Sequence, residues 1–182
     1  MTIKTLVKTL VIPFALFTQS AMGFDFNLDK EQRSVAPFTQ LEVSGLAQVY
    51  LSQGTVGDVE VKASGISMKD IVTRTENGKL TVTTKGFHSG ETVKVYVSYD
   101  ILNVISVGGA AELYGQDTVT ADTLTININD AGDAELTVDV GSLKVEMKGA
   151  GNLKIDGKAA KQQLRSHNSH GSLDNSNLSY GG

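Results

Sequence analysis

The sequence predicts an all-β fold, and three features of the chain indicate this class. Apolar and polar residues alternate with a period of two in almost every segment after Pro37. Thr, Val and Ile dominate these segments, which is typical of strands that bury one face. No window of twelve residues carries the apolar stripe of an amphipathic helix. We therefore expect β-strands joined by turns throughout the domain.

Residues 1–23 have the layout of a secretory signal peptide. Lys4 and Lys8 provide positive charge, residues 9–17 form an apolar run, and the small residues Ala21 and Gly23 predict cleavage after Gly23. A retained membrane anchor is the alternative, but the run is shorter than the about 20 residues that span a bilayer. A lipoprotein is excluded because the chain has no Cys. We expect export to the periplasm or the cell surface, without stable membrane insertion after cleavage.

The chain that remains after cleavage divides into an N-terminal extension, residues 24–37, and a single domain, residues 38–180. Without Lys4 and Lys8 it has 14 basic and 20 acidic side chains, a formal net charge of −6. This charge argues against a nucleic-acid partner, because phosphate binding depends on clustered Lys and Arg. No disulfide can form, so stability must come from burial and backbone hydrogen bonds.

The N-terminal half of the domain, residues 38–99, is predicted to pair in antiparallel or mixed fashion with short connections. The segments IVTRTE and KLTVTT flank Asn77 and Gly78, two residues that tolerate a positive φ, which predicts a two-residue hairpin. Residues 54–57 and 86–90 are predicted to be further turns or loops. Residues 92–99 place Val93, Val95 and Val97 on one face of a strand.

The C-terminal half repeats at intervals of 21, 19 and 20 residues. Each repeat contains a strand, a corner of small residues and a second short apolar segment. The corners are GAAE at 109–112, DAGD at 130–133, GAGN at 149–152 and SHGS at 169–172. A period near 20 with these parts predicts a right-handed parallel β-helix, or solenoid, continuous with the N-terminal half. The stretch GLAQV at 45–49 fits the same pattern and predicts an earlier coil of the stack.

Stacked coils would place equivalent apolar residues above one another at about 4.8 Å. We expect one interior ladder of Leu102, Leu124, Leu143 and, at the degraded last repeat, Leu164. A second ladder is expected to contain Val104, Ile126 and Val145. The glycines at the corners, such as Gly149 and Gly151, are predicted to be structural, because a phosphate-binding loop would open a helix and occur once, not four times.

Carboxylates near the corners form the first candidate site. Asp130 and Asp133 flank one corner, and stacked coils would bring other acids within reach: Glu112, Asp117, Asp122 and Glu135. Paired carboxylates can cleave glycosidic bonds as acid and base, or can bind Ca²⁺. Turn aspartates exposed to solvent are the favoured interpretation, since Asp is common in turns. We predict no catalytic, cofactor-binding or metal-binding residue, and no cofactor.

Histidines and tyrosines offer two further candidate sites. His167 and His170 are three residues apart and lie in a predicted strand and corner, while His88 is distant in sequence, so no metal site is expected. Several exposed tyrosines together could form a platform for a sugar. Tyr96 alternates outward and Tyr99 inward, so no single stripe is predicted among the five: Tyr50, Tyr96, Tyr99, Tyr114 and Tyr180.

The order of several blocks resembles a known family. FTQLEVSGLAQVYLSQG, VEVKASG, NGKLTVTTKG and VKVYVSYDILNVISVGGAAEL are followed by AGDAEL and GAGNLKIDG. This order is similar to the autotransporter adhesin head domain called the GIN domain, over about residues 38–178. The resemblance implies a single-domain, β-helix-like fold in exported bacterial proteins. It implies no catalytic residues.

Three functions are compatible with these features. The leading hypothesis is an exported, non-enzymatic β-solenoid module that binds a protein or glycan at the cell envelope. The second is a hydrolase or lyase that acts on polysaccharides through Asp130 and Asp133. The third is a structural envelope protein that self-associates as a homo-oligomer, because an exposed end of a solenoid is an edge that can pair with a copy of itself.

Overall fold

The computed structural model describes residues 28–86, 90–167 and 170–181, and these form an all-β fold, as expected. The predicted signal peptide, His88 and part of the last corner lie outside the described residues. One short 3-10 helix, Met68–Asp70, interrupts the strands. None of the described residues belongs to a helix long and apolar enough to cross a membrane. The strands are β1 (Asp29–Ser34), β2 (Gln40–Val43), β3 (Gln48–Gln53), β4 (Asp58–Ser64), β5 (Ile71–Glu76), β6 (Lys79–Thr84), β7 (Thr92–Tyr99), β8 (Val104–Val107), β9 (Glu112–Asp130), β10 (Asp133–Gly149), β11 (Leu153–His167), β12 (Leu173–Asp174) and β13 (Leu178–Tyr180).

All of these strands pair within one mixed, nearly closed sheet. The pairs β1–β4, β4–β7 and β5–β6 are antiparallel, and the other pairs are parallel. The mixed pairing expected for the N-terminal half is therefore confirmed. The predicted hairpin is also present, because Asn77 and Gly78 have φ of 51° and 74° between the paired residues Glu76 and Lys79.

The three long strands β9, β10 and β11 run parallel with an almost constant register. Leu124 pairs with Leu143 and Leu136 pairs with Ile155, so the offset along the sequence is the same for both pairs. The offset is slightly larger where Leu113 pairs with Ala134, because β9 carries an irregularity before Thr118. The repeat that the sequence predicts is thus the spacing of parallel neighbours in the sheet.

The predicted corners also lie on one another. Each corner donates a backbone N–H to a carbonyl of the corner before it: Ala110 to Gly45, Ala131 to Gly109, Ala150 to Asp130 and His170 to Gly149, at 2.9, 2.9, 2.5 and 2.8 Å. The stretch at 45–49 therefore lies next to the corner at 109–112. Gly149 has a φ of 115°, which residues with a side chain rarely adopt. A Cβ on Gly151 would lie 2.0 Å from the Gly132 carbonyl oxygen. Both glycines are required by the close approach of backbones.

Both predicted interior ladders need correction. Leu124 and Leu143 pair as expected, but Leu102 precedes β8 and Leu164 pairs with Val145. In β8 it is Ile105, and not Val104, that pairs with Ile126 and is buried. The alternation changes parity at the exposed bend residue Asn103, so counting by twos from Leu102 selects the wrong face. The buried ladder contains Leu80, Leu41, Ile105, Ile126 and Val145, followed by the half-buried Leu164.

Arg33 bridges the two strands that end the pairing order, β1 and β5. Its guanidinium donates to the carbonyl oxygens of Ile71 and Met68 at 2.6 and 2.8 Å, and more weakly to Thr73 Oγ1 at 3.3 Å. The Glu31 carboxylate accepts from the same guanidinium at 3.1 and 3.2 Å. The edge of β5 is thus occupied by a side chain, which brings the sheet close to closure.

The Tyr99 hydroxyl is a local defect in the core. Tyr99 is 1% exposed, and its hydroxyl is buried without a hydrogen-bond partner among the described residues. Burial, with a smaller contribution from Asp117, raises the pKa of Tyr99 from 10.0 to about 12. An unpaired buried hydroxyl costs about 1–3 kcal/mol.

Tyr99→Phe should therefore raise the free energy of unfolding by about 1 kcal/mol at pH 7. Because the pKa of Tyr99 is raised in the folded state, the neutral phenol contributes fully to the free energy of unfolding below pH 10. This contribution is lost as the pH approaches 12. Between these two pH values the Tyr99→Phe protein should therefore lose less stability than the wild type. Urea unfolding at pH 7 and 11 measures both effects, with the 71% exposed Tyr180 changed to Phe as a control. If Tyr99→Phe were less stable than the wild type at pH 7, the Tyr99 hydroxyl would have to form a hydrogen bond.

Candidate functional site

Three tyrosines from separate parts of the chain form a stack on the outside of the sheet. Tyr96 of β7 pairs in register with Tyr50 of β3, which pairs with Tyr114 of β9. The ring centroids of Tyr50 and Tyr96 are 5.0 Å apart with an interplanar angle of 16°. Those of Tyr50 and Tyr114 are 5.5 Å apart at 23°. We call these three residues the tyrosine ladder.

The ladder follows from strand alternation and parallel register. Tyr50 lies between the buried Val49 and Leu51, and Tyr96 lies between the buried Val95 and Val97, so both rings point outward. Parallel neighbours are about 4.8 Å apart, close to the distance at which aromatic rings stack. Each such pair contributes about 0.5–1.5 kcal/mol beyond its buried area.

A cationic cluster covers one end of the tyrosine ladder. The Lys62 Nζ lies 4.6 Å from the centroid of the Tyr96 ring, a cation–π contact. Lys62 also forms an ion pair with Glu60 at 2.7 Å, and Lys30 contacts the other oxygen of Glu60 at 2.5 Å. These two hydrogen bonds hold the pKa of the Glu60 carboxyl below its ordinary value, and Glu60 in turn raises the pKa of Lys62.

The other end of the ladder is held by hydrogen bonds. The Tyr114 hydroxyl donates to Glu112 Oε2 at 2.8 Å, and the Gln48 Nε2 donates to the same oxygen at 2.8 Å. The Glu112 hydrogen bond, assisted by burial, raises the pKa of Tyr114 to about 12. Tyr114 is therefore a neutral phenol with a fixed ring orientation at physiological pH.

A cleft of about 200 Å³ lies beside Tyr114. Glu135 is the register partner of Tyr114 on the side away from Tyr50, and Lys154 is the register partner of Glu135. Lys154 and Glu135 form an ion pair, which raises the pKa of Lys154. We call this space the Tyr114 cleft; its lining is Glu112, Leu113, Tyr114, Asp133, Ala134, Glu135, Asn152 and Lys154.

The arrangement offers one aromatic ring beside several polar groups. Within the ladder, Tyr50 has a neighbouring ring on both sides, and Lys62 covers Tyr96. The side of Tyr114 that faces away from Tyr50 adjoins the cleft, where carboxylates, an amide and an ammonium group surround it. An apolar surface with a few convergent polar groups is typical of small-ligand sites.

The structure separates Asp130 and Asp133. Asp133 lines the Tyr114 cleft, and its Oδ1 accepts from the backbone N and the Nδ2 of Asn152 at 2.7 and 2.9 Å. Asp130 lines a different groove of about 150 Å³ and accepts from the Gly109 N at 3.3 Å. Both carboxylates therefore cap neighbouring corners. Of the other acids expected nearby, Glu112 and Glu135 line the cleft, and Asp117 accepts from the Gln53 N at 3.3 Å.

The two described histidines occupy the end of β11 and the corner after it. His167 pairs with Lys148, and the His170 N donates to the Gly149 carbonyl oxygen. Within residues 28–86, 90–167 and 170–181, no three His, Cys, Asp or Glu side chains are grouped so that they could hold a metal ion.

The tyrosine ladder is the feature that the sequence interpretation missed. A usable signal was present, since Tyr50, Tyr96 and Tyr114 each follow a buried apolar residue as VYL, VYV and LYG. Alternation therefore gives the outward direction of all three rings. It does not give the neighbours of β3, which are distant from it in the sequence.

Comparisons with known proteins add a family and a fold. A family model described as "Putative auto-transporter adhesin, head GIN domain" matches residues 37–181. A putative adhesin from Parabacteroides merdae aligns with a TM-score of 0.66 and 20% identity, over 76% of this chain and 60% of that one. A putative adhesin from Parabacteroides distasonis aligns at 0.65 and 21% identity, over 86% and 76% of the two chains.

A third solved structure has the same fold and a different name. This putative lipid binding protein from Parabacteroides distasonis aligns with a TM-score of 0.65 and 12% identity, over 86% of this chain and 76% of that one. At these identities the likeness shows the fold alone. No curated protein matches the chain. The chain spans 60% of the length of the putative adhesin from P. merdae.

Proposed function

Because the chain belongs to the putative auto-transporter adhesin head GIN domain family, we propose that it is an exported, non-enzymatic module that binds a glycan at the cell envelope. The observation that carries this proposal is the tyrosine ladder ending at the Tyr114 cleft. In this proposal residues 1–23 are a signal peptide, residues 24–37 an extension and residues 38–180 the binding domain.

The binding surface in this proposal is the outside of a right-handed β-solenoid. The strands β9, β10 and β11 are three of its successive coils, and their almost constant register supports this assignment. Side chains at equivalent positions then form straight outward rows. The tyrosine row continues through Glu135 and Lys154 to Asp174, so an extended ligand would meet similar spacing along its length.

A sugar fits the Tyr114 cleft better than a folded partner does. Its volume of about 200 Å³ is below the about 300 Å³ at which ordinary drug-sized pockets begin, and leaves room for a single sugar ring. The apolar face of such a ring can lie against Tyr114, while its hydroxyls reach carboxylate and amide groups. Three carboxylates face one ammonium group, which favours neutral or amino sugars over uronic acids.

Hydrolysis is disfavoured by the positions of the proposed acid–base pair. Asp130 and Asp133 line separate cavities, and each accepts hydrogen bonds from the backbone of a neighbouring corner. Most glycosidases use two carboxylates that flank one glycosidic bond, and the pKa of the one that acts as general acid is raised. A binding role needs neither.

Binding should depend on the ring of Tyr114 and not on its hydroxyl. With glycans on an array and then by calorimetry, Tyr114→Leu should weaken the best neutral-sugar ligand by about tenfold or more, as expected of an aromatic anchor. Tyr114→Phe should retain most of the affinity, and Tyr180→Leu, far more exposed, is the matched control.

Two outcomes would contradict the proposal. One is an array without any saturable glycan at micromolar concentration. The other is a glycan whose affinity is the same for the wild type and Tyr114→Leu, which would place the binding elsewhere. A cooperative urea transition for each variant would show that the fold is intact, with the midpoint of Tyr114→Leu lowered by no more than the loss of one stacked pair of rings.

A further inference from the structure

The outer edge of the last long strand is open over its C-terminal part. β12 and β13 pair with β11 only at residues 153–154 and 157–159. Beyond residue 160, β11 pairs with β10 on one side, and no strand within the described parts of the chain pairs with the other side. We call residues 161–167 the β11 edge. An unpaired strand edge is a template for another strand.

One inward side chain of the β11 edge is incompletely buried, and another lacks a hydrogen-bond partner in the described part of the chain. Leu164 follows Val145 in the buried ladder but is only half-buried, because it lies at the end of that ladder. Gln162 also points inward, as the partner of the buried Leu143. Its Oε1 is buried and has no hydrogen-bond partner among the described residues. A strand added at this edge could cover the Leu164 side chain and donate a hydrogen bond to the Gln162 Oε1.

We propose that the β11 edge pairs antiparallel with the β11 edge of a second copy, around a two-fold axis at Leu164. In this register each residue faces a defined partner on the other copy. Leu164 lies opposite Leu164 of the second copy, and Gln162 lies opposite Ser166, whose hydroxyl can donate to the unpaired Oε1. An isologous pair of this kind closes as a dimer and does not grow into a fibre.

The outward side chains are compatible with the same register. Gln163 would lie opposite Arg165 and Lys161 opposite His167, so no two permanently charged cations lie directly opposite each other. Arg165 also has Glu146 as its register partner on β10 within its own chain, which offsets part of its charge. The two Arg165 side chains are diagonal neighbours, about 7–8 Å apart.

The dimer should be weak, because so short an edge on each copy buries less surface than a standard stable interface. Sedimentation velocity of the purified protein from about 10 μM to 1 mM covers the relevant range of dissociation constants. We expect reversible monomer–dimer association. A strict monomer over this whole range would overturn the proposal, as would assembly beyond the dimer.

Gln163 provides a matched pair of exposed substitutions that test the register. Gln163→Glu would place a carboxylate opposite Arg165 twice in the dimer, and Gln163→Lys would place an ammonium group there twice. Cross-strand charge pairs of this kind should change the dissociation constant about fivefold in opposite directions, tighter for Glu and weaker for Lys. Equal effects of both variants, or the reverse order, would contradict the register.

A second measurement separates pairing from folding. Both variants should remain folded at a concentration where all are monomeric, because Gln163 is exposed. Their urea midpoints should differ from that of the wild type only by the small effect of the new charge beside Lys144, the register partner of Gln163 on β10. Amide hydrogen exchange should slow over residues 161–167 on dimerisation and stay constant at Tyr50 and Tyr96. Protection elsewhere, with the β11 edge unchanged, would assign the dimer to another surface.

Discussion

Gly151→Val is expected to lower the free energy of unfolding by more than about 4 kcal/mol, the range reserved for severe packing and backbone defects. A Cβ at this position would lie 2.0 Å from the Gly132 carbonyl oxygen and 2.8 Å from Ile128 Cγ2. The first contact is with backbone in the neighbouring corner, so no side-chain rotation relieves it. The two corners would have to separate, and the hydrogen bonds between them would break.

Gly57→Val is the matched control for this prediction. No atom lies within 4 Å of a Cβ built on Gly57, and its φ is outside the left-handed region. Its urea midpoint should remain close to that of the wild type. If Gly151→Val unfolds like Gly57→Val and instead loses a bound ligand, the corner is a binding loop and our structural interpretation of it is wrong.

Arg33→Ala should destabilise the protein by about 2–4 kcal/mol, because hydrogen bonds that involve a charged group contribute about 1.5–3 kcal/mol each and are not fully additive. The side chain is 15% exposed and donates to two backbone carbonyl oxygens near β5. Without this side chain, the two carbonyl oxygens can accept hydrogen bonds only from water. The link that Arg33 makes between β1 and β5 is also lost. Arg33→Lys should recover only part of the loss, because an ammonium group cannot reproduce the planar fork.

Arg74→Ala serves as the control for Arg33→Ala. Arg74 and Glu76 form an ion pair in which the side chains are 67% and 61% exposed. Such pairs contribute about 0–1 kcal/mol. Urea unfolding of the three variants at one ionic strength would compare them directly. Equal losses for Arg33→Ala and Arg74→Ala would show that the bridge between β1 and β5 has no special role.

The regular part of the fold was predictable because local patterns determine it. Alternation identified most buried faces, and Asn77 and Gly78 marked the hairpin between β5 and β6. The corners were recognisable since small residues recur where backbones approach closely. The error at Val104 arose where Asn103 interrupts the alternation, which no count of apolar residues reveals.

The candidate site was less predictable because it depends on which strands are neighbours. Tyr50, Tyr96 and Tyr114 come together through pairs between β3 and strands distant in sequence, and β3 carries no pattern that names those partners. The bridge by Arg33 is hidden for the same reason, since the acceptors are backbone carbonyls without a residue-type signature. Long-range pairing, not local propensity, decides both features.

The offset shared by most residue pairs of β9, β10 and β11 has a consequence for how such a chain can change in length. Duplication of a stretch as long as this offset would add one strand in parallel register between β9 and β11, and deletion of such a stretch would remove one. Neither change would shift a side chain to the opposite face of the sheet. Each added repeat would move the β11 edge about 4.8 Å further from the tyrosine ladder. The distance between the tyrosine ladder and the β11 edge could therefore vary in equal steps, while the residues of both surfaces stay the same.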